Sequence, residues 1–168
     1  MATTEALKGI DIILLFRLLE DKKKNVGTKL AFQTEHEVSK KSSTDTQITK
    51  DGPVSLGGTS TTEISCTSLL ARGDEMVKKL EDAVDAGKTV EIWEVDVKGE
   101  SEGKYNAVYY QGTINEFTKK PAAEGTVEIS MKFTINGNGQ RGLATLTEEQ
   151  KQVVQYKFAD TVKDETEE

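Results

Sequence analysis

Apolar and polar positions alternate along most of this chain. Across residues 126–135, Val127, Ile129, Met131, Phe133 and Ile135 alternate with Thr126, Glu128, Ser130, Lys132 and Thr134. A period of two sustained this long predicts a strand with one buried and one wet face. Residues 59–70 repeat the pattern, with Ile64, Cys66 and Ser68 opposite Glu63, Ser65 and Thr67. Residues 89–98 carry Val90, Ile92, Trp93, Val95 and Val97, and 100–103 read as a turn. Residues 104–117 set Tyr105, Ala107, Tyr109 and Gln111 on one face and Val108, Tyr110 and Gly112 on the other. Residues 10–19 are apolar on both faces, which predicts a central strand. A charged break at 21–25 precedes a second predicted strand over 28–34.

One segment switches to helical spacing. Met76, Val77, Leu80, Ala83 and Val84 fall on one face of residues 73–87, opposite Lys78, Lys79, Glu81, Asp82 and Asp85. Asp74 is placed to cap its start and Gly87 its end. Asn136 to Gly142 reads as a flexible, glycine-rich loop. Thr147 and Gln150 match a capping box, so a short helix is predicted there, with a last strand over 153–159. The chain is therefore expected to form one mainly β domain: two packed sheets, sandwich- or barrel-like, with one flanking helix.

Residues 38–62 interrupt this regularity. They read VSKKSSTDTQITKDGPVSLGGTSTT, with only Val38, Ile48, Val54 and Leu56 as large apolar residues. Connections in compact domains are typically about 4–6 residues, so a polar segment this long is either functional or disordered. Its Thr-rich flanks favour extended chain and Asp51-Gly52 is a strong turn pair, which predicts a hairpin arm. So few apolar side chains cannot order it alone, so a surface outside the domain is expected to hold it. Thr44, Thr46, Ile48, Lys50, Asp51, Gly52, Val54 and Leu56 are the candidate contact residues.

Charge and chemistry narrow the function. The formal net charge is -7, which opposes gripping nucleic acid, because that affinity comes from cations neutralising phosphates. The single cysteine, Cys66, is expected to be a buried strand residue. A Cys66/His36 nucleophilic pair is set aside, since His36 lies in a charged Glu-His-Glu context. The apolar run at residues 12–16 is far short of a membrane span, and no signal peptide is read. With few cysteines, this suggests folding in a reducing cytoplasm. Gly137, Gly139 and Gly142 match G-x-G-x-x-G only by spacing, with no βαβ unit around them. Glu35/Glu37, Glu91/Glu94/Asp96 and Glu148/Glu149 are read as solvated faces before catalytic pairs. No zinc or calcium motif is present, so no metal or cofactor is expected. Trp93, Tyr105, Tyr109 and Tyr110 are weighed as a stacking platform and read as core or interface instead. No enzyme is expected. Chemistry alone leaves a self-assembling structural subunit and a small β-sandwich module binding carbohydrate or protein.

Several blocks carry a family resemblance. Leu7-Lys8-Gly9-Ile10-Asp11 running into residues 12–19, Gly27-Thr28-Lys29-Leu30-Ala31-Phe32-Gln33-Thr34-Glu35-His36 and Thr49-Lys50-Asp51-Gly52 are three of them. Val90-Glu91-Ile92-Trp93-Glu94-Val95-Asp96 and Val153-Val154-Gln155-Tyr156 are two more. In this order they resemble the major tail proteins of long, non-contractile-tailed bacteriophages. The resemblance implies a tail tube protein of the virion, made in the host cytoplasm. It would form hexameric rings that stack into a hollow tube around a tape-measure protein, ended by terminator and distal tail proteins. DNA would pass through the lumen without specific binding, past an acidic wall that repels it. Residues 1–9 would be an N-terminal arm, 38–62 an inter-subunit loop, 73–87 a helix outside the barrel and 160–168 an acidic tail.

Overall fold

The computed structural model describes residues 4–147. The expected short helix near residue 150, the strand over 153–159 and the tail over 160–168 lie outside them. Among the described residues seven strands pair antiparallel: β1 (Ile12–Leu18), β2 (Thr28–Lys29), β3 (Gln33–Thr49), β4 (Gly52–Leu69), β5 (Thr89–Ser101), β6 (Lys104–Lys120) and β7 (Glu128–Ala144). Within the same described residues one α-helix, α1 (Glu75–Ala86), lies between β4 and β5. The strand order is β2-β1-β5-β6-β7-β4-β3.

That order forces the sheet to curl. β2 and β3 lie at opposite ends of it, and a flat seven-strand sheet would separate them by about 29 Å. Yet only Leu30, Ala31 and Phe32 join them, a span of at most about 15 Å. Phe16 of β1 and Phe133 of β7 show the same bend, with ring centroids 5.5 Å apart where a flat sheet would hold them about 14 Å apart. The expected pair of sheets is thus one continuous sheet wrapped on itself, barrel-like, with its own halves packed together.

Wrapping gives the strands two buried faces. Leu14, Phe16 and Leu18 join Ile64, Cys66, Val90, Ile92, Ile129, Met131 and Phe133 in the main core, under α1. Ile13 and Leu15 pack oppositely with Val95, Tyr105 and Leu146. The two-sided apolar run of β1 is therefore real, although β1 sits beside the sheet's end. The helix follows its pattern: Met76, Val77, Leu80 and Ala83 are buried, and the Asp74 carboxylate accepts from the Met76 and Val77 amides.

Two expected elements differ. The strand over 28–34 is broken after Lys29, because Leu30 turns into the core and Phe32 adopts left-handed backbone (φ 56°). The loop over 136–142 is instead the second half of β7. It pairs with β6 through Tyr109↔Gln140 and Asn106↔Leu143, with a bulge between the Gln111↔Asn136 and Tyr109↔Gln140 pairs. Gly137 and Gly139 take positive φ inside that bulge, so glycine there marks bent strand.

Candidate assembly surfaces

The arm is a hairpin of strands, as its threonines and turn suggest. β3 and β4 pair from Gln33↔Ser68 out to Thr49↔Gly52. β4 pairs with β7 only from Thr62 to Leu69. Beyond Thr62 the backbone of the arm pairs only within its own ladder, and it runs on for about 30 Å at strand rise. Both of its edges therefore present unpaired backbone groups over that length.

Its turn is shifted by one residue from the expected position. Lys50 and Asp51 form the corner, while Gly52 opens β4 at φ 115°, a conformation costly for any residue with a Cβ. Thr49 Oγ1 donates to the Gly52 carbonyl at 2.7 Å and accepts from the Asp51 amide at 3.3 Å. Farther back, the register slips between Ser42↔Ser60 and Thr44↔Gly57. A Cβ at Gly58 would collide with the Ser43 carbonyl oxygen, so this bulge needs glycine.

The candidate contact residues divide between the arm's faces. Ile48 lies across from Pro53 and Thr46 from Ser55, with Thr44 on the same side of β3. Val54 and Leu56 lie across from Gln47 and Asp45, on the other face. Ile48 is 85% exposed, and Val54 and Leu56 are also exposed. Among the described residues, this apolar tip is left exposed.

At its root the arm is fastened to the body. Lys40 Nζ donates to the Asn138 carbonyl at 3.2 Å, and Ser60 Oγ donates to Asn138 Oδ1 at 2.7 Å. The β7 bulge thus turns Asn138 toward the arm. The Gln33 carboxamide bonds Leu14 on both sides, accepting from its amide at 3.2 Å and donating to its carbonyl at 2.7 Å. His36 Nε2 meets Glu94 Oε2 at 2.8 Å, joining β3 to β5.

Among the described residues, no catalytic constellation emerges from those weighed for one; Glu148 and Glu149 lie outside them. His36 and Cys66 are cross-strand partners, but His36 bonds Glu94 and burial pushes the Cys66 thiol up to about 12. A thiol so held is not a nucleophile at neutral pH. Glu91 is not the solvated residue its spacing suggested. It is 1% exposed, bonded by Arg17 Nε at 2.6 Å and by the Tyr109 hydroxyl at 2.5 Å. Burial, and then the Glu91 hydrogen bond, raise the pKa of Tyr109. Trp93 packs against Tyr109 and beneath Arg17, while Tyr105 and Tyr110 are buried in different clusters. Tyr105 and Tyr110 thus belong to the interior, while Trp93 and Tyr109 stay half-buried as a stacked pair under Arg17.

A shallow groove of about 930 Å³ opens where the N-terminal segment meets the start of β3, lined by Leu7, Ile10, Phe32, Glu35 and Glu94 among others. Sequence reasoning missed it. The available signal was the pairing of apolar Leu7 and Ile10 with a Phe32 at the break between two strands.

Comparison with known proteins gives these surfaces a context. The family model described as Phage tail tube protein matches residues 6–141. A protein of Staphylococcus phage phiMR25 named as a tail protein is 36% identical over 160 residues, spanning 91% of this chain and 82% of that one. The tail tube of phage SPP1 has the same fold, with a TM-score of 0.78 at 22% identity over 95% of this chain and 96% of that one. The tail of a gene transfer agent particle, solved with C6 symmetry, has a TM-score of 0.65 at 14% identity, over 80% of this chain and 98% of that one.

Proposed function

The chain belongs to the phage tail tube protein family, whose members are structural components of the virion tail and not enzymes, and from that premise we propose that it polymerises as stacked hexameric rings into a hollow tube. The observation that carries this reading is the self-paired arm, with free edges and an exposed apolar tip. A feature of this kind is a liability in a solitary domain and an asset in a polymer. Each copy offers different surfaces at its arm and at the rest of its body, so contacts between copies are heterologous and close into rings or propagate. The six-fold order follows the symmetry of the gene transfer agent tail. Thr44, Thr46, Ile48, Lys50, Asp51, Gly52, Val54 and Leu56 make the contacts between rings.

DNA crosses the lumen without specific binding, since a chain of net charge -7 repels a polyanion at short range. A tape-measure protein sets the tube's length, and terminator and distal tail proteins close its ends. Deleting residues 44–56 tests the role of the arm. Ser42 and Ser60 still pair, and four remaining residues close the shortened hairpin, so the body keeps its fold. Full-length protein forms tubes and the deleted protein does not. Tubes from the deleted protein would overturn the reading.

A further inference from the structure

We propose that Asn138 is a site of spontaneous modification, whose side chain cyclises onto the Gly139 nitrogen with loss of ammonia and then opens with water to aspartate or isoaspartate, altering the residue that fastens the arm to the body.

The chain has five asparagines, and two of them, Asn136 and Asn138, precede glycine. Glycine hinders attack on the preceding carboxamide least, because it carries no Cβ. The fold demands glycine at 139. Its φ is 77°, and a Cβ there would collide with the Tyr110 ring. Asn138 also stands where the ladders let go. β4 pairs with β7 only as far as Ile135. On the other side Asn136 is held opposite Gln111, and pairing resumes with Gln140 opposite Tyr109. Residues 137–139 lie between those pairs, in the bulge, where the ladder no longer stiffens the backbone.

Both carbonyls that would become imide carbonyls already have a donor. Ser60 Oγ donates to Asn138 Oδ1 at 2.7 Å, and Lys40 Nζ donates to the Asn138 main-chain oxygen at 3.2 Å. The Gly139 nitrogen gives its proton to a solvent base and attacks Asn138 Cγ. Negative charge gathers on Oδ1 as the N–Cγ bond forms, and the Ser60 hydroxyl is aimed at that oxygen. The Cγ–Nδ2 bond then breaks, and Nδ2 takes a proton from solvent and leaves as ammonia. Water adds next to one of the two imide carbonyls. Opening at Cγ gives aspartate, and opening at the main-chain carbonyl gives isoaspartate. Lys40 polarises the main-chain carbonyl and so favours isoaspartate. Nothing is oxidised or reduced, and water is the only co-reactant. Asn136 supplies an internal comparison. Among the described residues no side chain donates to its carboxamide or to its carbonyl.

The product acts on the arm. Isoaspartate lengthens the main chain by one carbon inside the bulge, so the two acceptors can no longer meet Ser60 and Lys40 together. The root of the arm loosens as the protein ages.

Mass spectrometry of the full chain, aged folded in mildly alkaline buffer, tests this. Both asparagines fall in one tryptic peptide, 133–141, and fragmentation separates them. Asn138 converts about tenfold faster than Asn136, as one hydrogen bond to a developing charge provides. In urea the two convert at similar rates. Ser60 and Lys40 are exposed, so Ser60→Ala and Lys40→Met leave the fold intact. Ser60→Ala removes the lead of Asn138, and Lys40→Met lowers the isoaspartate share. Amide exchange over residues 42–60 is faster in aged protein than in fresh protein. Equal rates at the two sites in the fold, an Asn138 slower than Asn136, or a lead that survives Ser60→Ala would overturn the proposal. None of these readouts requires tubes, so such a failure leaves the tube reading untouched.

Discussion

Gln33 stands in for a missing strand at the backbone of Leu14. Its side-chain amide returns both hydrogen bonds that a neighbouring residue would make, at 3.2 and 2.7 Å. β2 leaves the edge of β1 after Lys29, so without Gln33 these two groups would face the seam unpaired. The carboxamide thereby bridges β3 to β1 where the ends of the curled sheet meet, beside the His36–Glu94 contact from β3 to β5.

Gln33→Leu therefore opens the seam. A part-buried amide and carbonyl lose their partners, at a cost of about 1–3 kcal/mol. Urea unfolding of the two proteins measures it. Equal midpoints would show that the seam carries no stability.

Arg17→Met has a larger effect. It leaves the buried Glu91 carboxylate with the Tyr109 hydroxyl alone, and breaking a buried pair costs about 3–5 kcal/mol. Replacing Glu91 by Leu in the same chain recovers part of the loss, because no uncompensated charge remains. A double-mutant cycle on unfolding free energies reads both terms.

Alkali weakens the fold through Cys66. Burial raises its pKa from 9.0 to about 12, so the folded state holds a proton that the unfolded chain gives up. The associated stability is fully present below pH 9 and is lost as pH rises toward 12, with a slope of up to about 1.4 kcal/mol per pH unit. Tyr109 and Tyr110 are also raised, from 10.0, and add to the loss above pH 10. Cys66→Ala flattens the decline between pH 9 and 10. An unchanged decline would exclude the thiol as its source.

Gly58→Ala acts on assembly more than on stability. The added methyl would collide with the Ser43 carbonyl, so the outer arm must bend or fray. The body pairs with the arm only up to Thr62, and its unfolding midpoint should hold within about 0.5 kcal/mol, as for a surface change. Tube growth drops while the midpoint holds. A matching loss of both would mean that the arm's geometry also supports the core.

Local patterns exposed much of this molecule. β7 announced itself through Ile129, Met131, Phe133 and Ile135, and α1 through Met76, Leu80 and their caps. The arm was legible as an excess of threonine around a turn, because a hairpin that packs against nothing has no apolar face to hide it. What stayed illegible depends on contacts far apart in the chain. Nothing local tells that Gln33 serves Leu14, that Glu91 is buried under Arg17, or that the glycines at 137 and 139 bend a strand. The groove was hidden for the same reason, since Leu7 and Phe32 meet only once the sheet has wrapped. One continuous sheet and two packed sheets also share the same alternation, and only the pairing register tells them apart.

Electron cryomicroscopy of the concentrated protein tests the central claim most directly. The account predicts hollow tubes of stacked rings whose cross-section has six-fold symmetry, with the β3–β4 arm bridging adjacent rings. Dispersed particles that never form rings or tubes, or rings of a different order, would contradict it.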